Sequence, residues 1–309
     1  PLDRAFSIRG TGTVVTGTLV SGRLQAGDSV QLLPEGIQAR VRGLQEHSET
    51  RDEVRAGART AVALTGEGVE LDQLRRGQVV VHRGAWPVGS MLTLRIEVLA
   101  SASEPLKHSE RVRLHLGTDE VLARVVLLGA DHIEPGGARW AQLRAERPVV
   151  ARSGQRAVLR SWSPVRTIAG GTIAEPAAPR RGHLDDADLQ ALGALLTADP
   201  RSRAAAALDL AGWPGCVLDE LSVRAGLRPA EVEALRSLGD RTSQGVDADG
   251  LKLAESAALE AALEGVLELG KGRWVGARVV ADARARMLEA LDALHEERPW
   301  IADWPVDVL

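Results

Sequence analysis

DRAFSIRGTGTVVTGTLVSGRLQAGDSVQLLP, residues 3–34, is the stretch from which the fold is read. Val14, Thr16 and Thr18 alternate with Val15, Gly17 and Leu19, and a period of two over β-branched residues is the pattern of a strand. Gly22 and the Ala26-Gly27-Asp28 turn break the chain before a second run, Ser29 to Leu33. Alone, this describes a small β-barrel or sandwich. Gly10, Gly12 and Gly17 invite a phosphate-loop reading, but Val15 stands where the dinucleotide fingerprint has its third glycine, and no helix follows. The glycines read as tight turns and close strand approach.

Working outward, Gln38 to Leu44, Arg59 to Leu64 and Gln78 to Val81 continue the short strands, and His82 to Ser90 reads as a linker. A second all-β stretch runs from Met91 to about Ala174, with strands at Met91–Leu99, Val112–Leu116, Glu120–Leu128, Ala138–Leu143 and Ala157–Ser161. Glu175 to Arg181, with Pro176 and Pro179, reads as a stiff exit linker. After His183 the apolar period changes from two to about 3.6. Leu184–Leu196 and Ser202–Leu210 are predicted helices. Leu218–Ala225, the turn Gly226-Leu227-Arg228, and Pro229–Leu238 resemble a helix-turn-helix, with Pro229, Glu231 and Glu233 suited to a first helical turn. Asp240–Gly250 reads as a loop. Leu263–Leu269 and Arg273–Val275 form a hairpin around Gly270-Lys271-Gly272, and a last helix spans Val279–His295. Helices followed by such a hairpin describe a winged helix. The predicted architecture is therefore multidomain: two all-β barrels at 1–86 and 87–176, a linker at 177–183, an α-rich winged helix at 184–283, and the start of a second, incomplete one at 284–309.

Composition narrows the function. The chain has 309 residues, 44% hydrophobic and 26% charged, with no apolar run of the ~18 residues a membrane helix needs. The absence of a leader at the start argues against secretion, and a cytoplasmic setting is expected. Because the chain opens on Pro1 and enters a strand at once, it is expected to be a piece of a longer product. The single cysteine, Cys216, rules out an internal disulfide or a multi-cysteine zinc site. Histidines 47, 82, 108, 115, 132, 183 and 295 lack metal-ligand spacing. Residues 1–86 carry net charge +1, residues 87–183 carry +5 and residues 184–309 carry −10. A basic middle segment can face a polyanion, whereas the acidic end repels one.

The opening residues closely resemble the barrel that follows the nucleotide-binding domain in translational GTPases. Within that superfamily, Asp3-Arg4-Ala5-Phe6 looks like the selenocysteine-specific elongation factors (SelB type). The resemblance extends to LHLGTDEVLARVVLLG at 114–129 and to VVARSGQRAVLRSWSPVRTIAGGT at 149–172, where Ser163 to Ile168 followed by Gly170 and Gly171 is specific to the subfamily. It implies a factor that binds selenocysteinyl-tRNA and carries it to the ribosome at recoded UGA codons. The selenoprotein messenger hairpin would be bound only through winged helices beyond this chain.

The resemblance also implies an aminoacyl pocket. Asp3 and Arg4 match the acidic-basic pair opening the barrel, and Arg59, in the Ala56-Gly57-Ala58-Arg59 run, matches a second pocket arginine. Selenocysteine arrives as an anion because a selenol is more acidic than a hydroxyl. Two guanidiniums favour it, while a seryl group would leave them under-compensated in a partly desolvated site. Asp3 could accept from the α-amino group or hold an arginine. By spacing alone the same three residues read as a surface ion-pair cluster. Arg152, Arg156, Arg160 and Arg166 are candidate tRNA backbone contacts, or else solvated arginines on an ordinary sheet. Trp162 is open to base stacking, whereas Trp274 and Trp300 read as packing anchors.

No G-x-x-x-x-G-K-[ST] occurs, and the chain has no asparagine for a guanine-reading motif. GTP and magnesium are expected to bind a nucleotide domain outside this chain, which itself has no catalytic residues, metal or cofactor assigned. Two rival classes remain. A winged-helix nucleic-acid-binding regulator with ligand-sensing barrels is disfavoured by the acidic Glu231 and Glu233 beside a single Arg236. An enzyme acting on a small metabolite finds no nucleophile, acid-base pair or metal set.

Overall fold

A computed structural model of the chain describes residues 1–10, 12–84, 86–232, 265–269 and 273–297. The amino-terminal unit contains β1 (Leu2–Ile8), β2 (Gly12–Thr18), β3 (Arg23–Gln25), β4 (Ser29–Leu33), β5 (Ile37–Glu46), β6 (Glu49–Arg51), β7 (Glu53–Arg55), β8 (Arg59–Thr65) and β9 (Val79–His82). Its main sheet runs β1-β2-β8-β5-β4-β9, with β6 on β5, and β3 and β7 pair separately. Backbone bonds from Leu2 N to Gln78 O (2.8 Å) and from Gly77 N to Leu2 O (3.3 Å) tie the two edges together. The alternation read at Val14–Leu19 is realised in β2: Val15 joins Leu2, Val30, Leu32, Val62 and Leu64 in the core. A Cβ on Gly17 would lie 2.1 Å from the Pro1 carbonyl oxygen, so only glycine permits that strand approach. Gly10 and Gly12 flank the β1–β2 hairpin at φ 84° and 90°. Strand follows strand there, which is not the strand-to-helix turn a nucleotide's phosphates require.

The second unit contains β10 (Val88–Val98), β11 (Leu106–Lys107), β12 (Arg111–Leu116), β13 (Asp119–Leu127), β14 (His132–Ile133), β15 (Ala138–Val150), β16 (Arg156–Ser161) and β17 (Thr167–Glu175). The closed barrel is β10-β15-β13-β12-β16-β17. Leu94, Ile96, Leu114, Leu143, Leu159 and Ile173 are fully buried in it, each contributing roughly 1.5–3 kcal/mol of transfer free energy. The two barrels meet at Asp119, which pairs with Arg75 of the first barrel at 3.9 Å and accepts from both terminal nitrogens of Arg147 of its own barrel at 3.0 and 2.6 Å. Across the seam, Thr118 Oγ1 donates to Leu2 O (2.7 Å) and Arg76 Nε donates to Thr118 O (3.1 Å).

The exit segment differs from its reading as a linker made stiff by proline. Glu175 ends β17 with a buried side chain, and Arg181 folds back to bind it, with one contact at 3.0 Å. Thr93 Oγ1 donates to Glu175 (3.0 Å) and Arg181 N to Gln142 Oε1 (3.1 Å). The segment is held by contacts as well as by proline geometry.

Beyond it lie α1 (Asp186–Thr197), α2 (Pro200–Ala211), α3 (Leu218–Arg224), a helical turn at 229–232, and α4 (Ala277–Glu297). Asp185 caps α1 by accepting from Asp188 N, and Asp199 caps α2 ahead of its first-turn proline. β18 (Cys216–Val217), β19 (Leu267–Glu268) and β20 (Arg273–Val275) form a sheet in the order β18-β20-β19. Trp274 is buried among Leu192, Leu208, Leu210 and Leu221, an anchor as its apolar strand context suggested. β18 was not read from the sequence. α4 runs unbroken through residues 283 and 284, where the boundary between two winged helices was drawn. The remainder of the predicted second helix of the helix-turn-helix, the Asp240–Gly250 loop, the Gly270–Gly272 turn and Trp300 fall outside the described residues.

Candidate functional site

Strand register decides what Asp3, Arg4 and Arg59 can do together. Arg4 faces Thr16 across β1–β2, Thr16 faces Ala61 across β2–β8, and Thr18 faces Arg59. Directly opposed residues share a face, as do residues two apart, so Arg4, Thr16, Thr18 and Arg59 all lie on the outer face, opposite buried Val15 and Val62. Asp3 is the extra residue of a bulge between Leu2 and Arg4. The bulge re-aims it outward while Leu2 stays in the core. Asp3 Oδ2 thereby comes within 3.5 Å of the Arg59 guanidinium. The structure brings all three predicted residues to one face.

That face is open, not enclosed. The Arg59 side chain is 64% exposed and that of Asp3 29%, and Arg4 is exposed. At 4 Å in bulk water two unit charges interact by only about 1 kcal/mol, so strong preference for an anion requires a docked molecule to exclude water. Thr16 adds a feature the sequence did not single out: its Oγ1, on the same face, is shielded from solvent and has no hydrogen-bond partner among the described residues.

The second barrel carries the other candidates. Arg156 is exposed on β16, and Arg160 lies four residues along the same strand, opposite Arg113. Arg166 is exposed, and its N–H donates to Ser161 Oγ at 3.1 Å, which holds the Ser161–Arg166 loop in shape. Arg152 lies apart from these. It is half-buried, donates to Leu227 O at 3.2 Å in the helical unit, and has its pKa lowered by burial and by nearby Arg203.

Sequence reading missed β12 as the centre of this face. Arg111, Arg113 and His115 alternate with buried Val112, Leu114 and Leu116. The Arg111 and Arg113 guanidiniums lie over the Trp162 ring at 4.5 and 4.8 Å. Such contacts contribute about 0.5–2 kcal/mol, and here they orient a tryptophan that stays 42% exposed. Arg111 also pairs with Glu146 (2.7 Å) and Arg113 with Glu120 (2.6 Å), and Arg113's hydrogen bond holds the Glu120 carboxyl below its ordinary value. The signal was present in RVRLHL: its apolar positions were read as a strand, and their alternates form the cationic row.

Among the described residues, no group of three or more histidine, cysteine or acidic side chains could hold a metal ion, and no helix is long and apolar enough to cross a membrane. Burial pushes the Cys216 thiol up to about 12, which leaves it a poor nucleophile at neutral pH.

Residues 12–81 match the elongation factor Tu domain 2 family, and residues 93–180 match the family described as selenocysteine-specific elongation factor, beta-barrel domain. The selenocysteine-specific elongation factor of Desulfomicrobium baculatum is 34% identical over 97% of this chain and 44% of its own length. The chain belongs to the selenocysteine-specific elongation factor family. The Escherichia coli factor of that name is 32% identical over 64% of the chain and 30% of its own length, and elongation factor Tu 2 of Streptomyces avermitilis is 28% identical over 56% and 44%. The chain thus spans less than half the length of these curated relatives. The two family matches span Arg59 and the candidates of the second barrel, whereas Asp3 and Arg4 lie ahead of residue 12.

Proposed function

We propose that this chain is the tRNA-holding portion of a selenocysteine-specific elongation factor, which delivers selenocysteinyl-tRNA to the ribosome. One observation supports the role of the first barrel most directly: the bulge at Asp3 gathers a carboxylate and two arginines on one outer face. A selenolate docked against Arg4 and Arg59 has its charge compensated, whereas a seryl hydroxyl in the same place leaves two desolvated guanidiniums with the Asp3 carboxylate alone as counter-charge. Asp3 either accepts from the aminoacyl ammonium or keeps Arg59 oriented. The open geometry implies that the aminoacyl end itself closes the site.

The cationic face of the second barrel, with Arg156, Arg160 and Arg166, supports contact with the RNA backbone, and Arg111 and Arg113, stacked on Trp162, extend it. Arg152 is assigned a structural role instead. The winged-helix reading of residues 184–283 rests on α1 to α3 and the β18-β20-β19 sheet, and any selection of a messenger hairpin is placed outside it. Among the described residues the glycine-rich hairpin does not fit a nucleotide's phosphates, so GTP and magnesium chemistry is assigned to another part of the factor. A cytoplasmic setting follows from the translational role.

The test is protection of the aminoacyl ester by the full-length gene product with GTP present. Slower hydrolysis of selenocysteinyl-tRNA than of seryl-tRNA supports the proposal. Equal protection of the two removes it.

A further inference from the structure

We propose that the turn between α3 and the helix beginning at residue 229 is a joint that fixes the helical unit to the second barrel. The arginines at the start of that helix are withdrawn from nucleic acid by pairing with Glu231. This inference rests on contacts within the chain and stands whatever the aminoacyl specificity proves to be.

In a helix-turn-helix reader, the start of the second helix enters the major groove and carries the groups that contact bases. Here the turn leading into that helix is occupied by the second barrel. Ser153, in the turn between β15 and β16, donates its N–H to Val223 O at 3.0 Å, and Arg152 reaches Leu227 O. Gly226 has φ of 62°, and a Cβ there would lie 2.6 Å from the Ser153 carbonyl oxygen. Backbone therefore meets backbone with no room for a side chain, and the left-handed conformation favours glycine independently.

The charges at this point are also paired with one another. Arg203, from α2, donates to Gly226 O at 3.1 Å and to Glu231 at 2.9 Å. Glu231 in turn accepts the Arg228 backbone N–H at 2.7 Å and its side chain at 2.9 Å. The two arginines nearest the helix start are thus committed to a carboxylate of the same helix, and a phosphate approaching there meets an already compensated pair.

A second attachment lies beside the first, on β17. Ala174, in β17, belongs to the same apolar cluster as Leu192, Leu208 and Trp274. Arg181 bridges Glu175 at the end of β17 to Leu210 O in α2, the latter at 3.2 Å. The attachments through residues 152–153 and 174–181 adjoin one another, Gly154 N donating to Ile173 O at 2.8 Å, and form one continuous contact between barrel and helices. The partner of this surface is the chain's own second barrel, and the helical unit moves with it as one body.

Distance measurement between spin labels tests the joint. Labels at Glu104→Cys on the barrel and Arg201→Cys in α2 are both at exposed positions, while native Cys216 is buried. The expected parent result is one narrow distance distribution, broadened several-fold by Gly226→Ala. Should that variant fail to fold, the double substitution Arg152→Ala with Arg203→Ala carries the same expectation, because it removes side chains and leaves the backbone turn intact. A broad parent distribution, or a narrow one surviving in the joint variants, overturns the joint. Hydrogen exchange at residues 226–232 is expected to stay unchanged when a short RNA duplex of mixed sequence is added, and new protection there overturns the claim of withdrawal.

Discussion

Two arginine-carboxylate pairs show what burial does to the same chemistry. Arg181 and Glu175 are 12% and 5% exposed, doubly bonded and supplied with further donors, whereas Arg59 and Asp3 are 64% and 29% exposed and meet once at 3.5 Å. The first pair has exchanged water for protein on all sides, so neither partner is free to bind anything else, and removing one leaves an uncompensated buried charge. The second has kept its water and contributes little to the fold, which leaves its charges available. Of these two, the buried pair ties the barrel to the helices and the exposed pair is the candidate for function.

The largest effect that sharpens the comparison is expected from Glu175→Ala, which strands Arg181 between barrel and helices. It should destabilise the chain by about 3–5 kcal/mol, measured by denaturant unfolding. A loss below about 1 kcal/mol would equate the pair with an ordinary surface bridge.

Acid should act next, and at the joint. The hydrogen bond from Arg228, with further help from Arg203, holds the Glu231 carboxyl down at about 2. Because the folded value lies below the unfolded one, its contribution is complete above the ordinary glutamate range near 4.5 and is lost as pH falls from there toward 2. The spin-label distribution should broaden across that window in the parent. Glu231→Gln should make the distribution insensitive to pH there, and identical pH profiles in the two proteins would contradict this.

Ser153→Ala is expected to be neutral, or stabilising by up to about 1 kcal/mol. The Ser153 Oγ is buried in the joint without a hydrogen-bond partner among the described residues, and removing an unsatisfied hydroxyl removes its desolvation cost. Clear destabilisation in thermal melts would mean that the hydroxyl is bonded after all.

The barrels were legible because alternation reports both burial and direction. Ser29–Leu33 and Arg273–Val275 have the same limits in the sequence and in the structure. What escaped were elements made by tertiary contact. β18 is two residues, Cys216–Val217, with no period to read, and exists because β20 pairs with it. β15 runs to Val150, beyond the predicted Leu143, through an Arg-Ala-Glu-Arg-Pro stretch whose polar residues hide the strand. At the candidate site the residue types were legible but the bulge was not: nothing in Leu2-Asp3-Arg4 announces that Asp3 shares a face with Arg4. Likewise Arg152 looked equivalent to Arg156 and Arg160, and only the packing of the helical unit separates it from them.

The central claim is that the exposed Asp3–Arg4–Arg59 face selects an anionic aminoacyl group without supporting the fold. It is tested most directly by Arg59→Ala in the full-length gene product, measuring ester protection of selenocysteinyl-tRNA and seryl-tRNA beside a thermal melt. The account predicts that preference for the selenocysteinyl ester disappears while stability changes by no more than about 0.5 kcal/mol. Undiminished preference in a normally folded variant would contradict it.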